Sequence, residues 1–84
     1  MKMREWSDDE IIMLTKKAAF IKSLETALRD DEDNGLDSIV YQLALDGQDE
    51  IITVIFKGGG TKKILATANS NGANAKEIIK AIYG

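Results

Sequence analysis

The spacing of the apolar residues divides this 84-residue chain into helical and extended parts. In residues 11–28 they recur every three or four positions, which is the period of an amphipathic helix. In residues 39–56 the period is two, as in a β-strand whose side chains point alternately to the two faces of a sheet. Helical spacing returns in residues 75–82. This order predicts an α+β fold, α-β-β-β-α, in one domain over residues 1–84.

A capping box marks the start of the first helix, which we predict over residues 7–29. Ser7 and Glu10 have the Ser-x-x-Glu spacing in which each side chain accepts a hydrogen bond from the other residue's backbone N–H. Trp6 and Ile11 have the spacing of a hydrophobic staple across the same end. These two signals place the helix start at Ser7.

The apolar stripe of this helix is wide, about half of its circumference. One interpretation is a deeply buried helix. The other is that Met13 and Phe20 reach a second surface, in a homodimer or on a target protein. The stripe consists of Ile11, Leu14, Ala18, Ile21, Leu24 and Leu28, and is widened by Met13, Phe20 and Ala27.

We predict strands over residues 38–45, 50–57 and 61–68 and a closing helix over residues 73–83. Turn residues separate the strands, and the three glycines from Gly58 to Gly60 supply the positive φ of a tight turn. The strands should form an antiparallel meander with both helices on one face, because that face needs burial. The other face carries Val40, Ala44, Ile51 and Ile55, an apolar set that favours self-association or a protein partner.

The composition excludes most catalytic and metal chemistry. The chain has no cysteine and no histidine, so disulfides, the usual zinc ligands and His- or Cys-based catalysis are excluded. It also lacks an apolar run near ~18 residues, the length of a transmembrane helix. We therefore expect a cytoplasmic protein that is not an enzyme, uses no cofactor or metal and does not enter a membrane.

Two segments contain the residue types of ligand-binding loops but not their order. Asp30, Glu32, Asn34 and Gly35 match the early positions of a calcium loop, but Tyr41 stands where that loop needs a bidentate glutamate. The run from Gly58 to Lys62 lacks the glycine-to-lysine spacing of a phosphate loop, and a strand rather than a helix follows it. We interpret the first segment as a solvated acidic linker and the second as a turn.

Two groups of charged residues are candidate binding surfaces in a chain of net charge −3. Acidic residues fall in two loops on either side of the first strand, and we predict that they contact a protein partner. A lysine group around the glycine turn is the alternative, a nucleic-acid contact. The acidic candidates are Asp30, Asp31, Glu32, Asp33, Asp37, Asp46, Asp49 and Glu50; the basic ones are Lys57, Lys62, Lys63 and Lys76.

The element order resembles the double-stranded RNA-binding domain. In that family, lysines at the start of the second helix hold phosphates and the first hairpin loop enters the minor groove. Here Lys76 is a single lysine followed by Glu77, and the loop Asp46-Gly47-Gln48-Asp49 is acidic. The first helix is also longer than that family's.

The C-terminal half resembles small proteins encoded by phages and prophages, through residues 51–58, 62–72 and 75–82. The element order is also similar to that of acidic phage inhibitors of type II-A CRISPR effector nucleases, which occupy the effector's DNA-binding surface. This chain lacks the additional acidic C-terminal helix of those inhibitors. The resemblance implies a non-enzymatic protein-binding module that inhibits a host defence or nucleic-acid enzyme. A nucleic-acid-binding domain and a homodimer through Met13, Phe20, Val40, Ile51 and Ile55 remain the alternatives.

Overall fold

The structure, a computed structural model that describes residues 7–44 and 49–84, has the predicted α-β-β-β-α order. The three strands form an antiparallel sheet in the order β1-β2-β3, which confirms the predicted α+β meander. A short 3₁₀ helix, Glu32–Asn34, joins the first helix to the sheet. The other elements are α1 (Asp8–Arg29), β1 (Leu36–Leu43), β2 (Glu50–Phe56), β3 (Thr61–Leu65) and α2 (Asn71–Tyr83).

The capping box at the start of α1 is present. The Glu10 N–H donates to the Ser7 hydroxyl over 3.2 Å, and the Ser7 N–H donates to the Glu10 carboxylate over 3.3 Å. Trp6, the other half of the predicted staple, lies outside the described residues. The sequence therefore located this helix start correctly, with Ser7 as the N-cap.

Both helices pack on one face of the sheet around a small aliphatic core. Ile21 of α1 and Ile78 of α2 are buried with Ile39, Ile52 and Val54 of the sheet. Burying an aliphatic side chain of this size stabilises the fold by about 1.5–3 kcal/mol. A two-layer domain this small depends on each of these residues, because few others contribute to its core.

The prediction of a deeply buried α1 is wrong for its first half. Ile11 is 50% exposed and Met13 48% exposed, and Ala18 is exposed as well. At about 1.5 Å per residue the 22-residue helix is roughly 33 Å long, whereas the eight residues of β1 span roughly 26 Å. The helix is longer than the sheet that it covers, so part of its stripe extends past the sheet and is exposed.

The start of β1 differs from the prediction because of a bulge. The strand begins at Leu36 rather than residue 38, and its register with β2 shifts between Leu36 and Ser38. Gly35 adopts a positive φ of 72° directly before it, and its carbonyl accepts the Lys57 N–H over 2.9 Å. Asp37, predicted as a loop residue, is therefore the extra residue of the bulge.

The end of β3 also differs, since the strand stops at Leu65 rather than residue 68. The Ala66 N–H still donates to the Glu50 carbonyl in the register of the ladder, and the chain then turns so that the Ala68 N–H donates to the Glu50 carboxylate. Ala68 has a φ of 64°. This early turn lets α2 begin at Asn71, two residues before the predicted start, with Ser70 as its N-cap.

Candidate interaction surfaces

The acidic residues Asp30 to Asp33, called here the acidic segment, are all exposed but are held in a defined conformation. The Asp31 carboxylate accepts the Asp33 N–H over 3.2 Å, which caps the 3₁₀ helix. It also accepts a hydrogen bond of 2.9 Å from the hydroxyl of Tyr83, at the end of α2. The sequence predicted a solvated linker here, whereas the segment is tied to the second helix.

Asn34 fixes the end of this segment. Its side-chain N–H groups donate to the Leu28 carbonyl over 2.7 Å and to the Tyr83 hydroxyl over 3.1 Å. Its side-chain oxygen accepts the Leu36 N–H over 2.9 Å. One side chain thus joins α1, β1 and α2. Asparagine before glycine predicted a turn but gave no sign of these long-range partners.

Among the other predicted acidic contacts that the structure describes, Asp49 lies away from this segment. Asp37 is exposed at the bulge of β1. Asp46 lies outside the described residues. Asp49 accepts the hydroxyl of Thr67 over 3.2 Å, at the opposite end of β1 from the acidic segment.

Glu50 was predicted to be one of the acidic residues that contact a partner, but the structure shows that it is buried. Its carboxylate oxygen Oε1 lies 3.0 Å from the ammonium of Lys17, also buried, and 2.5 Å from the Tyr41 hydroxyl. Its other oxygen accepts the Ala68 N–H over 3.1 Å. A carboxylate with three such donors binds the fold together and is not available to a partner.

These donors decide the charge state of Glu50. Burial alone would raise the pKa of its carboxyl, but the hydrogen bonds from Tyr41, Lys17 and the Ala68 N–H, with the charge of Lys17, hold the pKa below its usual value. The pKa of Tyr41 is raised, first by burial and then by the hydrogen bond to Glu50 and its negative charge. Glu50 is therefore a carboxylate and Tyr41 a neutral phenol.

Sequence reasoning missed Lys17 and Glu25, the other buried charge of α1. Lys17 precedes Ile21, Leu24 and Leu28 by four, seven and eleven positions, so it lies on the same face of the helix as these apolar residues. That spacing was the sequence feature that could have predicted its burial. The Glu25 carboxylate accepts the Ile39 N–H over 2.8 Å. Because β1 is an edge strand, this contact blocks one of the backbone donors that would otherwise attract another strand.

Two of the four lysines predicted to contact nucleic acid, Lys62 and Lys63, line the same groove. Lys62 and Lys63 of β3 and Lys80 of α2 line an open groove of about 450 Å³, together with Ile64, Glu77 and Ala81. The Lys62 ammonium donates to the Ala81 carbonyl over 2.6 Å and lies 5.8 Å from the centre of the Phe56 ring.

The other two predicted lysines, Lys57 and Lys76, do not line this groove. Lys57 is exposed, but its N–H bonds to Gly35, so it stands beside the acidic segment. Lys76 is exposed on α2. Lys57 and the acidic segment therefore lie at the same end of the sheet.

The face of the sheet opposite the helices carries exposed apolar side chains. Leu65 is 68% exposed and Val40 39% exposed, with the half-buried Ile51 and Ile55 on the neighbouring strand β2. Phe20, predicted to take part in self-association, instead packs against the core on the helix side, which corrects that assignment. Met13 is also on α1, so the five predicted residues do not form one surface.

No protein-family model, curated protein or solved structure that was compared with the chain gives a match. Within residues 7–44 and 49–84, no group of three or more acidic side chains is arranged to hold a metal ion. Neither helix of that part of the chain is both long and apolar enough to cross a membrane. Three surfaces of the described chain are candidates for binding a partner: the acidic segment, the lysine groove and the uncovered sheet face.

Proposed function

We propose that this chain is a non-enzymatic protein-binding module of the cytoplasm, and that the acidic segment is the part that recognises a basic surface on its partner. The observation that carries this proposal is that four consecutive carboxylates are exposed on a segment that is held to α2 by the hydrogen bond from Tyr83 to Asp31 and by Asn34 at its end. A preformed loop loses less conformational entropy on binding than a flexible one. Its charge also steers the encounter with a basic partner.

The finer proposal is that the partner is a nucleic-acid enzyme of a host defence system, such as a CRISPR effector, and that the chain is an inhibitor encoded by a phage or mobile element. The resemblance to acidic phage inhibitors supports it. So does the chemistry of the segment, because carboxylates can compete with phosphates for the lysines and arginines that hold DNA. The uncovered sheet face, with Val40 and Leu65, offers a separate apolar contact.

Capture of partners from host lysate, followed by mass spectrometry, tests this function. The test variant is Asp30→Asn/Glu32→Gln/Asp33→Asn, which keeps Asp31 because that carboxylate bonds to Tyr83. The matched control removes two exposed charges elsewhere, Asp8→Asn/Asp9→Asn. We expect the wild-type chain and the control to capture a nucleic-acid enzyme and the test variant to lose it. Equal capture by all three would contradict the role of the acidic segment.

An activity assay tests the inhibitor proposal directly. DNA cleavage by the captured enzyme should fall when the wild-type chain is added and should recover when excess DNA is added, since both compete for one surface. Inhibition that excess DNA does not relieve would argue against competition at the DNA-binding surface.

A second candidate function is nucleic-acid binding, favoured by the convergence of Lys62, Lys63 and Lys80 on one groove. The carboxylate of Glu77 lies in the same groove and would repel phosphates, which argues against this function. An electrophoretic shift with double-stranded RNA at low salt, lost in Lys63→Glu/Lys80→Glu, would support it, because such contacts neutralise phosphates. No shift at low salt would exclude it.

A further inference from the structure

The outer face of α2 has an apolar centre with opposite charges on its two sides. Ile79 is 43% exposed and Tyr83 54% exposed, and a spacing of four residues places them next to each other on the helix surface. Ile78 and Asn74 occupy the buried face of the same helix. Ile79 and Tyr83 are therefore surface residues that the fold itself does not cover.

The negative side of this face is the acidic segment. The hydrogen bond from Tyr83 to Asp31 places the segment directly beside the end of α2. The four carboxylates Asp30 to Asp33 are exposed there.

The positive side is formed by lysines of α2 and of the groove. At about 100° per residue, Lys76 and Lys80 follow Ile79 and Tyr83 around the helix, away from the buried face. Lys80 also lines the groove that contains Lys62 and Lys63. The acidic segment thus lies at the C-terminal end of this face, beside Tyr83, and Lys76 and Lys80 lie along one side of it.

We propose that this face, centred on Ile79 and Tyr83, is the interface of a symmetric dimer in which the acidic segment of each copy contacts Lys76 and Lys80 of the other. The partner protein of the proposed function competes with the second copy for the acidic segment. A two-fold interface must be complementary to itself, since each residue that contacts a partner residue is contacted in return. A surface with an apolar centre, one negative side and one positive side meets this condition. A second copy is the occupant that matches both charges at once.

The size of the face indicates a weak dimer. The 13 residues of α2 make a helix about 20 Å long. A face of this length with its charged flanks would bury on the order of 1,000 Å² in total between two copies, near the lower limit of specific interfaces. Because the charges lie at the rim, the dimer should dissociate as salt rises.

Sedimentation equilibrium of paired charge-reversal variants tests this interface. Asp30→Lys/Glu32→Lys/Asp33→Lys leaves Asp31 as the only negative residue of the segment, so both sides have a positive net charge, and Lys76→Glu/Lys80→Glu makes both sides negative. We expect the wild-type chain to dimerise with an affinity that falls about tenfold or more between low and high salt, and each variant alone to be monomeric. An equimolar mixture of the two variants should again form dimers, because both sides are then matched.

Several results would overturn the proposal. They are a monomeric wild-type chain at millimolar concentration, a dimer that persists in either variant alone, and a variant mixture that stays monomeric. Leu65→Asp, on the uncovered sheet face, should leave dimerisation unchanged; its loss would place the interface on that face. Thermal unfolding of every variant, followed by circular dichroism, confirms that the changes act on a folded chain.

Discussion

Lys17 and Glu50 are 33 positions apart in the sequence, and the Lys17 ammonium lies 3.0 Å from the Glu50 carboxylate in the interior of the fold. The contact joins α1 to the sheet. Tyr41 of β1 and the Ala68 N–H complete the donors around the same carboxylate. The helix α1, the strand β1 and the loop after β3 therefore all bond to one carboxyl group.

Removal of the Lys17 charge should destabilise the fold strongly. Lys17→Met leaves the buried Glu50 carboxylate without its counter-charge, and we expect the free energy of unfolding to fall by about 3 kcal/mol. Lys16→Met, at the exposed neighbouring position, should change it by less than about 0.5 kcal/mol. Urea unfolding measures both. In a double-mutant cycle, Lys17→Met/Glu50→Gln should lose less than the sum of the single changes, and additivity would show that the two side chains are not coupled.

Stability should depend on pH through Glu50. Its pKa is lower in the folded chain than in the unfolded one, so its contribution is complete above the unfolded value of about 4.3 and is lost as the pH falls through the folded value. The difference in unfolding free energy between the wild-type chain and Glu50→Gln should therefore be largest at neutral pH and shrink toward pH ~3. Urea unfolding at both pH values tests this. A difference that stays constant with pH would contradict the lowered pKa.

The fixed conformation of the acidic segment should depend on Asn34. Asn34→Ala removes its bonds to Leu28, Leu36 and Tyr83, and we expect a loss of about 2 kcal/mol. Amide hydrogen exchange should show the local effect, because the Leu36 N–H loses its acceptor. Asn71→Ala, at the exposed first residue of α2, is the matched control and should leave that exchange rate unchanged. Equal rates in all three proteins would show that Asn34 does not hold the segment.

The sequence predicted what depends on local periodicity. The alternation in β1 and β2 identified the core face that holds Ile39, Ile52 and Val54, and the Ser7–Glu10 spacing located the start of α1. Both signals lie within a few residues of the feature that they predict. They were sufficient for the α-β-β-β-α order.

The sequence did not predict contacts between distant segments. Glu50 follows a turn and has the composition of a surface carboxylate, and only the packing of Lys17 against it shows that it is buried. The acidic segment was read as a linker for the same reason, since Tyr83 is 52 positions from Asp31. Polar residues with long-range partners cannot be recognised from the residues beside them.

The loop after β3 contains a strained residue whose replacement should stabilise the fold. Ala68 has a φ of 64°, a conformation that costs a residue with a Cβ roughly 1–2 kcal/mol. Ala68→Gly removes that strain and keeps the N–H bond to Glu50, although glycine gains entropy in the unfolded chain. We expect a net gain of about 0.5 kcal/mol in urea unfolding. Ala75→Gly, inside α2, should instead lose about 1 kcal/mol, and a loss at both positions would contradict the strain at Ala68.

Asn74 should show the opposite behaviour to Asn34, although the two residues are of the same type. Its side chain is fully buried on α2, and within the described part of the chain neither its amide nitrogen nor its oxygen has a hydrogen-bond partner. Unsatisfied buried groups cost about 1–3 kcal/mol, and alanine has the higher helix propensity. Asn74→Ala should therefore raise the free energy of unfolding by about 1 kcal/mol. The cavity left by the smaller side chain reduces this gain. Asn74→Asp would bury a charge and should lower it by more than about 2 kcal/mol. Destabilisation by Asn74→Ala as large as that of Asn34→Ala would mean that the packing of the Asn74 side chain outweighs its missing hydrogen bonds.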